Sequence, residues 1–448
     1  MASSFEVKES LPVMAEGDVV VAGGGTSGFI AATASARTGA ETILVERFGY
    51  LGGCTTAPYN TSLSSFFDSE GKQIIRGLPW EFMRRMEADG QCILWEGGRN
   101  QLWPVWTRKV ALDMVQEAGV DLLLHTWITG VLTECGSIRG IIVQNKGGRG
   151  VILGNAFVDA TGDADLAAFA GAPFDMTQVD DLQQVSCDYI ACGVDSSRVA
   201  EWAREHQDEL GRISGLEHQD LPGGVQPMLT IVIPRGEVDS DGVMTRTGVM
   251  PTVKLCVHRE AVRIQGNVEI NPLDPRALTR AEVDGLQGAL EHLEYMRETI
   301  PGFENAFVVA QSHLGVRETR RILGDYMITL DDLKSQSRFE DVVALNCRGL
   351  DYHLKGTVFK WSPLLGHHDV PLRALLPRGV ENLVVAGRSI SCDHLSQASL
   401  RGAATCMATG HAAGTTAATS AIEDLGTREV EVGEIQGKLV EQGAVLRA

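Results

Sequence analysis

DVVVAGGGTSGFIAATASARTGAETILVER, residues 18–47, decides the fold. Val19–Ala22 is apolar and runs into three glycines, as a parallel strand buried on both faces does when it enters a turn. The alanine-rich stretch 26–39 follows and stops at Gly39, which predicts a helix. Residues 41–47 return as a second strand, so a βαβ unit fills this short stretch. Between strand and helix stands Gly23-x-Gly25-x-x-Gly28. The first glycine permits the tight turn, the second lets the backbone approach a pyrophosphate, and the third lets helix and strand pack closely. Glu46 closes the second strand 18 residues past Gly28, where a carboxylate hydrogen-bonds a ribose diol. The pattern predicts a dinucleotide site with its phosphates at the helix N-terminus. It does not by itself choose between NAD and FAD.

The whole chain has 448 residues, enough for two or three domains. It is 44% hydrophobic and 22% charged, an ordinary globular mix that argues against disorder. The net charge of −19 disfavours a general nucleic-acid binder. The first 18 residues carry Glu6, Lys8 and Glu9 and no apolar core, so no signal peptide is expected. The most apolar long stretch, 403–422, is interrupted by Gly410, His411, Gly414 and threonines, so no membrane span is expected either. Nine scattered cysteines without a CxxC pair argue against a disulfide scaffold or zinc ribbon. Cys187 and Cys192 share a strand-like segment and read as buried thiols. A cytoplasmic location follows as the expectation.

Further along, 106–118 has helical periodicity, and 120–160 alternates apolar runs with Gly and Asn turns, a meander ending in the buried strand NAFVDA. From about 172 longer polar helices (198–210, 276–300) and the proline-bearing strand 228–234 take over. Residues 380–388 are again a buried strand, and 400–424 a long helix of small residues.

Beyond the first glycine motif, Glu46-Arg47-Phe48-Gly49-Tyr50-Leu51-Gly52-Gly53-Cys54-Thr55-Thr56, Ala160-Thr161-Gly162-Asp163-Ala164-Asp165-Leu166 and Val384-Val385-Ala386-Gly387-Arg388 complete a set. Together they resemble the FAD-dependent oxidoreductases of the glutathione-reductase-like superfamily, most closely the branch known simply as the FAD-dependent oxidoreductase family. The resemblance covers about 16–60, 106–170 and 310–424, and is loose over 172–310. It implies FAD as cofactor. Gly23, Gly25, Thr26, Ser27 and Gly28, with Gly52, Gly53, Cys54 and Thr55, would lie along the pyrophosphate and flavin. Glu46 would hold the adenosine ribose, with Arg47 near the adenine. Thr161 and Gly162, flanked by Ala160 and Asp163, would close the adenine side. Gly387 and Arg388 would face the ribityl chain and pyrophosphate. Backbone amides from Arg401 and Gly402 onward would face the flavin N1–O2 edge, where a helix N-terminus stabilises negative charge.

Two departures from disulfide-reducing relatives narrow the chemistry. Tyr59 stands five positions after Cys54, so that place holds no dithiol relay. No second GxGxxG follows residue 170, which argues against a separate NAD(P)H domain.

Substrate chemistry rests on fewer residues. The resemblance puts the loop with His394 near the isoalloxazine ring, where an imidazole acts as a base or merely hydrogen-bonds the cofactor or a carbonyl. His353, in Asp351-Tyr352-His353, resembles a family Asp-x-His segment. Arg401 is placed for an anionic substrate or a flavin carbonyl, or caps a helix. Arg317 and Arg321, read as i, i+4 on a helix in HLGVRETRRILGDY (313–326), face substrate or, by preference, a salt-bridge network with Glu318 and Asp325. Cys54 and Cys392 read as packing. His367-His368-Asp369 reads as a loop without metal, because adjacent side chains of an extended segment diverge. Trp80, Trp95, Trp103 and Trp106 line a pocket or fill core.

The expected architecture is α/β: a Rossmann-like FAD-binding domain of 16–171 and 341–425, an inserted α+β substrate domain of 172–340 with the site between the two, and a tail of 426–448. The expected reaction is hydride transfer between a small organic substrate and flavin N5. The alternatives are an electron-transfer subunit, a flavin monooxygenase or a non-catalytic nucleotide-binding module. No metal is expected, and a homo-oligomer stays open.

Overall fold

The computed structural model describes residues 8–88, 92–94, 100–206, 212–214, 230–232, 252–255, 261–353 and 360–447. Trp95, Cys256, residues 207–210 and residues 228–229 and 233–234 lie outside them; the helix read at 198–210 is described as Ser196–Glu205 and the strand read at 228–234 as Thr230–Val232. The opening stretch folds as read. Strand β1 (Val13–Ala22) enters helix α1 (Gly28–Thr38), which ends at Gly39 in the left-handed conformation and returns as β2 (Thr42–Val45). Val19 and Val21 point into one core and Val20 and Ala22 into another, the two-residue period of a strand covered on both faces.

A third strand, β3 (Gly148–Asp159), lies parallel to β1 along most of its length. The seven-stranded sheet runs Asp121–Leu123, β2, β1, β3, Ser137–Asn145, Trp127–Glu134, with Leu383–Val385 added parallel to the end of β3. The expected meander of 120–160 thus feeds β3. Register sets Ala22 beside both Val45 and Asp159, and Asp159 beside Val385. The chain therefore leaves four parallel strands at one edge of the sheet. Backbone hydrogen bonds continue that line, from Gly23 N to Val45 O (2.8 Å), Ala160 N to Ala22 O (2.9 Å) and Ala386 N to Asp159 O (2.9 Å).

Helix α2 (His394–Leu400) is separate from α3 (Ala403–Glu423), so the long helix read over 400–424 starts three residues later, at a break whose N-cap is Gly402. Glycines seat α3 on α1: a Cβ on Gly410 would stand 2.2 Å from Ser27 O, and one on Gly414 2.0 Å from Ala31 O. Helix α4 (Val432–Glu441) adds Ile435 and Leu439 to the same core as Phe29 and Met407.

A second sheet is antiparallel, in the order Arg212–Ser214, Thr230–Val232, Thr252–Leu255, Val262–Val268, Val185–Cys192, Phe307–Gln311. The helix Pro275–Thr299 lays Ala289, Leu293 and Met296 against Tyr189, Ala191, Val262 and Ile264.

Two local readings are corrected. Residues 313–319 form a loop and Arg320–Ile322 a short strand paired with Phe174–Met176, so Arg317 and Arg321 do not share a helix face. His368–Pro371 is a strand paired with Val342–Asn346 rather than a loop. Among the described residues no cluster of His, Cys, Asp and Glu is arranged to hold a metal, and no helix is long and apolar enough to cross a membrane.

Candidate active site

Four turns leave the common edge of the parallel sheet, and they touch one another. Gly23 has φ +94°, and a Cβ there would press on Ala160 O at 2.7 Å. A Cβ on Gly28 would lie 1.7 Å from Gly23 O, so only glycine lets α1 close on the turn. Gly25 differs: its Cβ would meet nothing nearer than Gly53 Cα at 3.8 Å. Gly53, at φ +55°, packs its backbone against Gly25 and Thr26, and Gly52 N donates to Gly24 O at 3.0 Å. Thr26 Oγ1 lies 3.2 Å from Gly52 O and 3.1 Å from Cys54 Sγ. Thr55 is buried in the same turn and reaches Gly52 O at 3.4 Å. The α1 N-terminus has no side-chain cap and no acidic residue in its first turn, which leaves its positive end open.

Glu46 is buried, and both its oxygens accept backbone N–H groups, from Gly24 and Phe48, each at 2.7 Å. Burial pushes its carboxyl above the usual range, and those two bonds pull it back. Arg47 lies over the rings of Phe48 and Trp127.

At the third turn Asp159 ties Thr161 N (3.0 Å) and Ala167 N (2.9 Å), while Gly162 takes φ +80°. Arg388, arriving from the fourth turn, donates to Gly162 O (2.6 Å) and Val316 O (2.6 Å) and pairs with Asp163 (2.6 Å). Gly387, at φ +85°, would press a Cβ on Ser27 Oγ at 2.8 Å and donates to Thr409 Oγ1 at 3.1 Å. Every cofactor candidate except Arg401 and Gly402 thus belongs to this ring of turns or borders it. Those two stand at the start of α3, whose N-terminus likewise lacks a side-chain cap and early acidic residues.

The other candidates form two linked polar clusters around α2. His394 Nδ1 lies 2.8 Å from Glu318 Oε1 and 3.0 Å from Thr177 Oγ1. Glu318 and Arg321 are both buried and pair at 2.6 Å. Burial opposes ionisation of Glu318, but the His394 bond, Thr177 and Arg321 hold its pKa below the usual value. A carboxylate only accepts, so the proton of this contact sits on His394 Nδ1 and Nε2 is left as the basic nitrogen.

In the second cluster Asp351 meets Arg348, His353 Nε2 (3.1 Å) and Arg401 Nη2 (3.4 Å). Burial opposes its ionisation, yet Arg401, His353 and Arg348 hold its carboxyl well below the usual range. Burial and the positive field of Arg317 push His353 down to about 3, so it is neutral at pH 7. Gln397, between His394 and Arg401 in sequence, donates to Arg317 O (2.8 Å) and accepts from Gln183 (2.7 Å), which joins the clusters.

Residues 18–439 match the family described as FAD dependent oxidoreductase. The chain belongs to that family. It is accordingly an FAD-dependent oxidoreductase. No curated protein matches it. Among solved structures it is similar to a geranylgeranyl bacteriochlorophyll reductase-like protein of Thermoplasma acidophilum, at 12% identity over 96% of this chain and 84% of that one, with a TM-score of 0.47. It is also similar to the p-nitrophenol 4-monooxygenase of Pseudomonas putida, at 10% identity over 95% of this chain and 84% of that one, TM-score 0.44. A flavoprotein/dehydrogenase of Cytophaga hutchinsonii matches at 14% identity over 95% of this chain and 82% of that one, TM-score 0.42.

The ring of turns fits the family's cofactor on physical grounds. Gly25 leaves room that any side chain would fill, and two uncapped helix N-termini offer N–H groups to anionic oxygens. The sequence reading did not single out Glu318 as a site residue, nor Gln183, Gln397 or Arg348. Glu318 was visible only as a salt-bridge partner. Gln183 and Gln397 meet from residues 214 apart, a pairing with no local signature.

Proposed function

We propose that the family member catalyses hydride transfer between a small organic substrate and FAD, in a site bordered by the parallel-sheet edge on one side and the second sheet on the other. The convergence of four turns at Ala22, Val45, Asp159 and Val385 carries the reading. Such a strand-end crevice is where open α/β sheets bind ligands. Gly23, Gly25, Gly28, Gly52 and Gly53 would hold the diphosphate, Glu46 the adenosine ribose, and Gly387 and Arg388 the ribityl side. The α3 N-terminus would stabilise charge on the reduced ring.

When bound, FAD supplies the two-electron acceptor. The chain's own part is the proton. His394 is fixed by Glu318, so Nε2 is the nitrogen free to take the substrate's O–H or N–H proton as a hydride leaves the adjoining carbon. Arg321 keeps Glu318 ionised and so keeps the tautomer. In this reading 172–340 forms the substrate domain inserted between the two halves of the FAD domain.

The test is anaerobic: candidate substrates are mixed with the yellow protein and flavin bleaching is followed by absorbance. His394→Ala should keep the flavin yet reduce it about 100-fold or more slowly. Equal reduction rates in the two proteins would remove His394 from the reaction.

A further inference from the structure

The cluster around Asp351 is short of negative charge. Arg317 is only 9% exposed. Its guanidinium donates to Gln184 O and to Asn267 Oδ1 (3.0 Å), both neutral acceptors. Among the described residues no carboxylate lies within ion-pair distance of it. The carboxylate of Asp188, on the neighbouring strand, is already paired with buried Arg263. Among the described residues, Arg401 donates only through Nη2, to Asp351 O (2.6 Å) and Gln183 Oε1 (3.1 Å), and its buried Nε meets no acceptor. Asp351 is shared among Arg348, Arg401 and His353. Three guanidiniums thus depend on Asp351, with a neutral imidazole between them, because Asp188 and Glu318, which also act on Arg317 and Arg401, are already paired with Arg263 and Arg321.

Burying a cation without a counter-ion costs several kcal/mol. A guanidinium has five N–H donors, and both Arg317 and Arg401 leave some of theirs unused. Burial, with repulsion from Arg401, brings Arg317 down to about 9, against the opposing pull of Asp351 and Asp188.

The cluster borders the cofactor cradle. Val316, next to Arg317, accepts from Arg388 at 2.6 Å, and Arg401 directly precedes the N-terminal end of α3. His394, Gln397 and Arg401, the last at the C-cap, follow i, i+3, i+7 spacing, so His394 and Arg401 lie on the same side of α2.

We infer that Arg317 and Arg401 form the anchor for the carboxylate of an organic-acid substrate, between the FAD cradle and the second sheet. The inference rests on the hydride-transfer reading for the word substrate; the anion site itself does not. A planar carboxylate matches the guanidinium fork, and an organic acid carries an oxidisable carbon that an inorganic anion lacks.

The test is calorimetric titration of the flavin-loaded protein with succinate, pyruvate and benzoate, with phosphate and chloride at matched ionic strength as the other arms. At least one acid should bind saturably, with chloride inert and phosphate weaker. Arg317→Met should weaken that binding at least tenfold, and Arg317→Lys should restore part of it. Arg401→Met is the second variant, and thermal melts without ligand confirm that each is folded. The proposal is overturned if none of the three acids binds better than phosphate, or if both methionine variants bind as the parent does. Binding is read without turnover, so an anion site that fails and a hydride transfer that fails give separate results.

Discussion

His394 Nδ1 lies 2.8 Å from Glu318 Oε1, and Glu318 is itself buried against Arg321. A buried carboxylate thus sets the tautomer of a quarter-exposed imidazole. Replacing Glu318 by Gln removes the charge and keeps the shape. We expect flavin content to be unchanged and substrate-driven bleaching to slow about tenfold or more, because the amide no longer enforces a bare Nε2. Bleaching at the parental rate would show that the contact is only structural.

The same substitution leaves Arg321 with one anionic partner, the exposed Asp175, beside the neutral acceptors Cys392 O and Thr177 Oγ1, so a stability loss of about 3 kcal/mol is expected at pH 7. Glu318 has a lowered folded pKa. Its contribution is therefore full above the unfolded carboxyl pKa and fades as pH falls through the folded value. Urea melts of parent and Glu318→Gln should converge in acid and separate at neutral pH. A gap that does not change with pH would contradict the assignment.

Acid should unfold the protein through its histidines. Burial pushes His353 and His368 down to about 3 and His411 to about 4. Each stays neutral in the fold but protonates near 6.5 when unfolded. Their contribution is present above 6.5 and is lost as pH falls toward 4 and then 3. At pH 5 unfolding should take up close to three protons, a slope of about 4 kcal/mol per pH unit from these groups. His411→Gln should lower the uptake by about one proton in melts between pH 5 and 6. An unchanged slope would mean that His411 is not buried neutral.

Much of this was legible in the sequence, where the determinants are local. The βαβ unit and Glu46 at the strand end follow from spacing alone, and the structure gives Gly23 and Gly28 steric reasons while leaving open space at Gly25. What was not legible depends on partners far along the chain. HLGVRETRRILGDY has helix-like charge spacing, but Arg320–Ile322 pairs with Phe174–Met176 and tertiary pairing overrides local preference. Of the expected salt bridges, Arg321 to Glu318 forms, whereas Asp325 binds Arg428 and Arg317 reaches neutral acceptors. The break before Ala403 separates the helix carrying His394 from the long helix behind it, and Gly402 is its only local mark.

The union of α1 and α3 rests on two glycines. Gly414→Ala puts a methyl group where Ala31 O stands 2.0 Å away, with no flexible side chain to move aside. We expect a loss of about 3 kcal/mol and weaker flavin retention, read by thermal melts and by absorbance after gel filtration. Parental stability would show that the helices can separate without consequence.

Gly25 gives the most direct measurement. A Cβ there meets no protein atom closer than 3.8 Å and needs no left-handed backbone, so Gly25→Leu is expected to fold with stability near the parent's. It should also be colourless, because leucine occupies the space assigned to the diphosphate. The flavin-to-protein ratio from absorbance, with a thermal melt on the same sample, decides the matter. A folded, colourless variant beside a yellow parent is the predicted result; a folded variant that keeps one flavin per chain would contradict the placement of the cofactor.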